Sequence, residues 1–122
     1  MSVTKGELEN EISKRLTQWE KQYMGKGSLK VKTDILRNMV IVTLKGTLTP
    51  AEQKLAETNE GKRAVKRIRT DLLESGKAEL GQIIWELTGL KTVSFHNDLS
   101  TKTGERLMVF VLSDNLEKKL GA

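Results

Sequence analysis

The chain reads as an α+β protein: a two-layer α/β sandwich with element order αββ(α)αββ and a four-stranded antiparallel or mixed sheet covered by helices on one face. Three observations predict it. Two pairs of short apolar stretches carry strand signals. A long segment from Thr58 to Gly89, with apolar residues at helical spacing, separates the pairs. Of the four strands, Met39 to Leu44 and Leu107 to Leu112 are apolar at both parities, so they form the central pair and the polar strands flank them. A right-handed crossover between the hairpins then gives an arrangement equivalent to a circularly permuted ferredoxin-like sandwich.

Taken in order, Thr4-Lys5-Gly6-Glu7 fits a capping box at a helix start. Leu8, Ile12, Leu16, Trp19 and Tyr23 follow at spacings of three and four, and Gly25 and Gly27 stop the helix, which spans roughly residues 5 to 24. From Leu29 the period changes to two: Leu29, Val31, Thr33 and Ile35 alternate with Lys30, Lys32, Asp34 and Leu36, a strand with one wet face. Arg37-Asn38 serves as a tight turn into Met39 to Leu44.

Thr49-Pro50-Ala51-Glu52 combines an N-cap threonine, a proline at the first helical position and a glutamate at the third, which predicts a short helix to about Glu57. After the Thr58 to Gly61 junction, Val65, Ile68 and Leu72 form the expected packing stripe. Lys62, Arg63, Lys66, Arg67 and Arg69 fan over the far side. Leu80, Ile83, Ile84 and Leu87 form a second stripe, rotated from the first. Ser75-Gly76 offers a place to bend, so the helix either breaks there or wraps around the sheet, and Thr88-Gly89 closes it with a glycine cap. Trp85 falls off this stripe, toward a partner surface or the first helix.

Thr92 to Leu99 reads as a polar strand with Val93 and Phe95 inward. The loop Ser100 to Gly104 turns it into Glu105 to Ser113, and Asp114-Asn115-Leu116-Glu117 starts a last short helix. The sheet face away from the helices still carries Met39, Ile41, Leu107, Val109 and Val111, or the alternate set. That is too much apolar surface for a monomer, and it predicts a homodimer through the sheet.

Composition bounds the function. A chain of 122 residues is one domain, taken as 1–122, long enough to bury a core unaided. With no cysteine, disulfides, thiolate metal sites and a thiol nucleophile are excluded, which suits a reducing cytoplasm. The longest apolar run is far short of the roughly 20 residues that span a bilayer, and the N-terminus lacks a signal-peptide core, so a soluble cytoplasmic protein, at most peripheral at the membrane, is expected. Of 21 bases and 16 acids, the five bases between Lys62 and Arg69 account for the whole net charge of +5. A local cationic face points to an anionic partner: nucleic acid, an acidic protein surface or anionic lipid. Scarce aromatics weaken the case for base stacking.

A second polar cluster comprises His96, Asp98, Ser100, Thr101, Thr103 and Arg106. His96 and Asp98 share one side of a strand and have the residue types of a base with its orienter. Ser100 is a nucleophile only if the loop folds back toward His96. No second histidine exists for a metal site, and residues of these types after a strand are commonly turn formers. No cofactor is expected. Gly25-Lys26-Gly27 is a helix stop, not a phosphate loop.

Several stretches together resemble one family: Lys5-Gly6-Glu7-Leu8-Glu9 with Ile12-Ser13, Glu20 to Gly27, Met39 to Gly46 running into Leu48-Thr49-Pro50-Ala51-Glu52, and Asp98 to Arg106. Over nearly its whole length the chain looks like the MpsC family of small bacterial proteins, also called YbcI-like. The resemblance implies association with a sodium-translocating, membrane-potential-generating system whose larger membrane components bear on inorganic carbon uptake. It implies no catalytic site and transfers no functional residue. Two readings follow: a non-enzymatic accessory or regulatory protein docking on that system through the basic helix face, or, as the alternative, a nucleic-acid or nucleotide-binding module using the same face.

Overall fold

A computed structural model describes residues 3–121. The elements are α1 (Lys5–Met24), β1 (Lys30–Leu36), β2 (Met39–Lys45), α2 (Pro50–Leu55), α3 (Asn59–Ser75), α4 (Lys77–Thr88), β3 (Thr92–Leu99), β4 (Arg106–Leu112) and α5 (Leu116–Lys119). All strand pairs are antiparallel, in the order β1-β2-β4-β3, so the two doubly apolar strands are central as expected.

The helices cover one face of the sheet. Val40, Val42, Leu44, Met108 and Phe110 point into a core shared with Leu8, Ile12, Leu16 and Trp19 of α1, Leu73 of α3 and Leu80, Ile83 and Ile84 of α4. Each of these strands buries alternate residues, the period-two pattern of a sheet packed on one side. The opposite face carries Met39, Ile41, Leu107, Val109 and Val111, all half-buried or exposed.

Local chemistry explains the element ends. At α1 the Thr4 hydroxyl accepts the Glu7 amide, as a capping box requires, but the Glu7 carboxylate accepts the Thr4 hydroxyl proton instead of the Thr4 amide. Gly25, at φ 81°, ends the helix in the left-handed region. At α2 both halves of the box form, between Thr49 and Glu52. Buried Glu20 fixes the turn after α1 by accepting both the Ser28 amide and hydroxyl, at 2.6 and 2.8 Å. At the far end, Glu117 accepts the Arg37 amide at 2.9 Å and pairs with Lys5 at 2.8 Å, tying α5 to the first hairpin and to α1.

One open choice is resolved and three expectations are corrected. The long helix breaks, since α3 ends at Ser75 and α4 begins at Lys77. Gly76 sits where a side chain would collide with the Trp19 ring. The α3 packing stripe is not Val65, Ile68 and Leu72: Ile68 is 56% exposed and Leu72 is exposed as well. The buried row is Gly61, Val65, Arg69 and Leu73, a rotation of the helix that brings an arginine inside. Val93 is not buried beneath the helices: it falls at a register irregularity between Thr92 and Ser94 and is 62% exposed. Leu29 precedes the strand and is exposed, lying over Gly46.

Candidate functional site

Of the five bases assigned to a free cationic face, one is structural. Arg69 is 5% exposed and donates from Nε to Glu52 Oε2 at 2.7 Å, with a second bond from Nη2 to Oε1. This fork locks α2 onto α3. The Arg69 hydrogen bond is the main cause that holds the Glu52 carboxyl down at about 2, with the Thr49 amide assisting against burial. Arg69 therefore leaves the candidate surface, because a guanidinium inside the fold needs its carboxylate.

The remaining bases are exposed. Lys66 pairs with Asp98 across the sheet edge at 3.0 Å, and its hydrogen bond holds the Asp98 carboxyl below its usual range. Among the described residues Lys62, Arg63 and Arg67 form no ion pair. The Thr58 hydroxyl accepts the Gly61 amide and opens α3 next to them. The outward cationic patch thus consists of three free bases and one half-neutralised lysine.

Beside Lys62 lies a cavity of about 520 Å³, between the β2–α2 connection, α2 and the β3–β4 loop. Gly46, Leu48 and Gln53 line one side, and Thr101, Lys102, Thr103 and Gly104 the other. Two of the stretches that carry the family resemblance border it, Leu48 to Glu52 through Leu48 and Asp98 to Arg106 through Thr101 to Gly104. Their junction is fixed from within: Thr47 donates from both its amide and its hydroxyl to the Gly104 carbonyl, at 3.3 and 2.7 Å.

The polar cluster around His96 is divided. His96 and Asp98 lie on the same outer side of β3, as expected, but the side-chain partner of His96 is Ser94, at 3.2 Å, and that of Asp98 is Lys66. Ser100 and Thr103 act as turn formers: the Ser100 hydroxyl accepts the Thr103 amide and the Thr103 hydroxyl accepts the Glu105 amide. Thr101 lines the cavity instead.

Arg106 points inward and is 1% exposed. It donates to Asn97 Oδ1 at 2.9 Å and to the Arg69 carbonyl at 3.5 Å, and forms no ion pair among the described residues. Burial, with Arg69 nearby, pushes its guanidinium down to about 10. The strand alternation takes Arg106 to the face opposite His96 and Asp98, so the six residues do not form one site.

Reasoning from sequence missed Glu52, Gln53 and Lys102. The glutamate had a signal, its capping box, but nothing in the pattern distinguishes a capping carboxylate from one that also holds a buried arginine.

A family model described as "Na+-translocating membrane potential-generating system (MpsC)" matches residues 4–114. The uncharacterized protein YbcI of Bacillus subtilis (strain 168) is 56% identical over 120 residues, covering 98% of this chain and 97% of that one. The uncharacterized protein YrhF of the same organism is 30% identical over 111 residues, covering 90% and 88%. No solved structure shows a significant match.

Proposed function

Since the chain belongs to the MpsC family, we propose that it is a non-enzymatic accessory or regulatory protein of a membrane Na+-translocating system, docking through the exposed bases of α3. The link to inorganic carbon uptake implied by the family resemblance is part of this reading. The observation that carries it is the trio Lys62, Arg63 and Arg67, exposed and free of ion pairs among the described residues. Charges left unpaired on one helix face attract an anionic surface over about a Debye length of 8 Å at physiological salt. No described helix is long and apolar enough to cross a membrane, so a peripheral contact, with an acidic loop of a membrane component or with anionic lipid, is the geometry this reading requires.

The test is the triple reversal Lys62→Glu, Arg63→Glu and Arg67→Glu. It spares Lys66, which holds Asp98, and Arg69, which holds α2. Tagged protein recovered from native membranes should lose its co-purifying membrane component if the partner is protein, and retention on anionic vesicles should fall if it is lipid. Thermal unfolding should not change. Equal recovery in both assays removes the docking role.

One observation favours a second reading. The cavity beside Lys62 falls in the size range of small-molecule sites, and Lys62, Lys102, Thr101 and Thr103 offer donors to a phosphate, against one carboxylate, Glu57, in the same lining. Nucleotide or nucleic-acid binding through three phosphate contacts would show log K falling with log salt at a slope of about −2 to −3. A flat response, or none, ends this reading.

A further inference from the structure

The outer face of the sheet has a pattern that goes beyond being apolar. The strand register arranges it in levels: Leu36, Met39, Val111 and Ser94 share one level, Asp34, Ile41, Val109 and His96 the next, and Lys32, Thr43, Leu107 and Asp98 the third. Apolar side chains dominate the two central strands, and the two edge strands carry the charge. At the third level the edges have opposite sign, with Lys32 on β1 and Asp98 on β3. At the second level Asp34 lies across from His96.

We propose that this face is the interface of a homodimer in which two copies pack sheet to sheet about a two-fold axis parallel to the strands. Such a rotation keeps each level and exchanges the edges. It lays Lys32 over the partner's Asp98 and Asp34 over the partner's His96. Ile41 then meets the partner's Val109, and Met39 meets the partner's Val111. Face-to-face sheets sit about 10 Å apart with aligned strands, a gap that a lysine and an aspartate bridge together. Within one copy, and among the described residues, Lys32 pairs only with exposed Asp34, at 3.2 Å, and Asp98 only with exposed Lys66, at 3.0 Å. Pairs this open to water are weak and are readily shared with a second copy.

A two-fold axis across the strands fails the same test. Centred on the second level, it sets the two Asp34 residues against each other. Shifted toward Lys32, it sets Met39 against the partner's Lys45, and shifted toward the turn, it sets Asp34 on the partner's Leu36. A face complementary to itself in one orientation is what an isologous interface requires. A monomer would have to leave Leu36, Met39, Ile41, Leu107, Val109 and Val111 in water as one patch.

Sedimentation equilibrium of the full chain tests both parts. The wild type should be a dimer at about 50 µM, and Ile41→Glu or Val109→Glu, at half-buried sites outside the core, should be monomeric with unchanged circular dichroism. Lys32→Glu and Asp98→Lys should each raise the dimer dissociation constant about tenfold, and the double variant should return it to within about threefold of wild type. A monomeric wild type, or a dimer that survives both glutamate substitutions, overturns the interface. Single reversals without effect, or a double variant no tighter than either single one, overturn the strand-parallel axis.

Discussion

Arg69 of α3 grips Glu52 of α2 through two hydrogen bonds, and the same Glu52 carboxylate accepts the Thr49 amide at 2.9 Å. One side chain therefore caps α2 and neutralises a guanidinium that is 5% exposed. The two partners are not equivalent. The Glu52 side chain keeps 23% of its exposure and reaches water on one side, whereas Arg69 has no comparable outlet.

Glu52→Gln preserves the cap, because glutamine serves at that position too, and removes only the charge. It should cost about 2 kcal/mol at neutral pH, since it strands a buried cation; Arg69→Met, which leaves a carboxylate able to hydrate, should cost about half that. The pH dependence has a fixed sign. A carboxyl lowered from its ordinary value near 4.5 to about 2 stabilises the fold fully above 4.5 and loses that contribution as pH falls toward 2. Urea unfolding of wild type and Glu52→Gln should therefore differ by a constant amount above pH 5 and converge below it. A gap that persists unchanged at about pH 2.5 contradicts the ion pair as the source.

Arg106 presents the opposite case, a guanidinium that is 1% exposed and held by an amide oxygen and a backbone carbonyl, with no ion pair among the described residues. Its lowered pKa, about 10, records the cost of taking that charge from water. Arg106→Met keeps most of the volume and removes the charge, so stability should change by less than about 1 kcal/mol or increase. Arg106→Ala opens a cavity between Leu44 and Leu99 and should cost about 3 kcal/mol. If the methionine variant is as damaging as the alanine one, the hydrogen bonds, not the volume, are what the fold needs.

The fold was legible where periodicity and caps spoke together. Leu8, Ile12 and Leu16 recur at helical spacing and are all in the core. Thr49-Pro50-Ala51-Glu52 forms its box, and the doubly apolar strands occupy the centre of the sheet. The rotation of α3 was not legible, for a physical reason. Ranking side chains by hydrophobicity puts Ile68 inside and Arg69 outside, and the pairing that reverses the order lies 17 residues away at Glu52. The candidate patch inherited that error at Arg69 alone. Its other bases face outward as expected, and the cavity beside Lys62 became visible only once the β3–β4 loop had a position. Val93 was misplaced because alternation cannot foresee an extra residue in a strand.

Gly61 is the clearest position at which sequence logic and structure predict opposite signs. It lies inside the first turn of α3, where alanine is worth up to about 1 kcal/mol over glycine. A Cβ there would stand 1.7 Å from the Leu55 carbonyl oxygen and 2.9 Å from the Thr58 hydroxyl. The first obstacle is backbone, at the end of α2, and it moves only if α2 moves. Gly61→Ala should therefore destabilise by about 3 kcal/mol and disturb the Glu52–Arg69 fork that holds α2 in place. Gly81 supplies the control: it is also helical, in α4, and a Cβ there would meet nothing within 4 Å. Gly81→Ala should stabilise by about 0.5–1 kcal/mol. Thermal unfolding of the two variants should move in opposite directions from wild type. If both rise, the close approach of α2 to α3 is not a constraint of this fold, and helix propensity alone governs the segment.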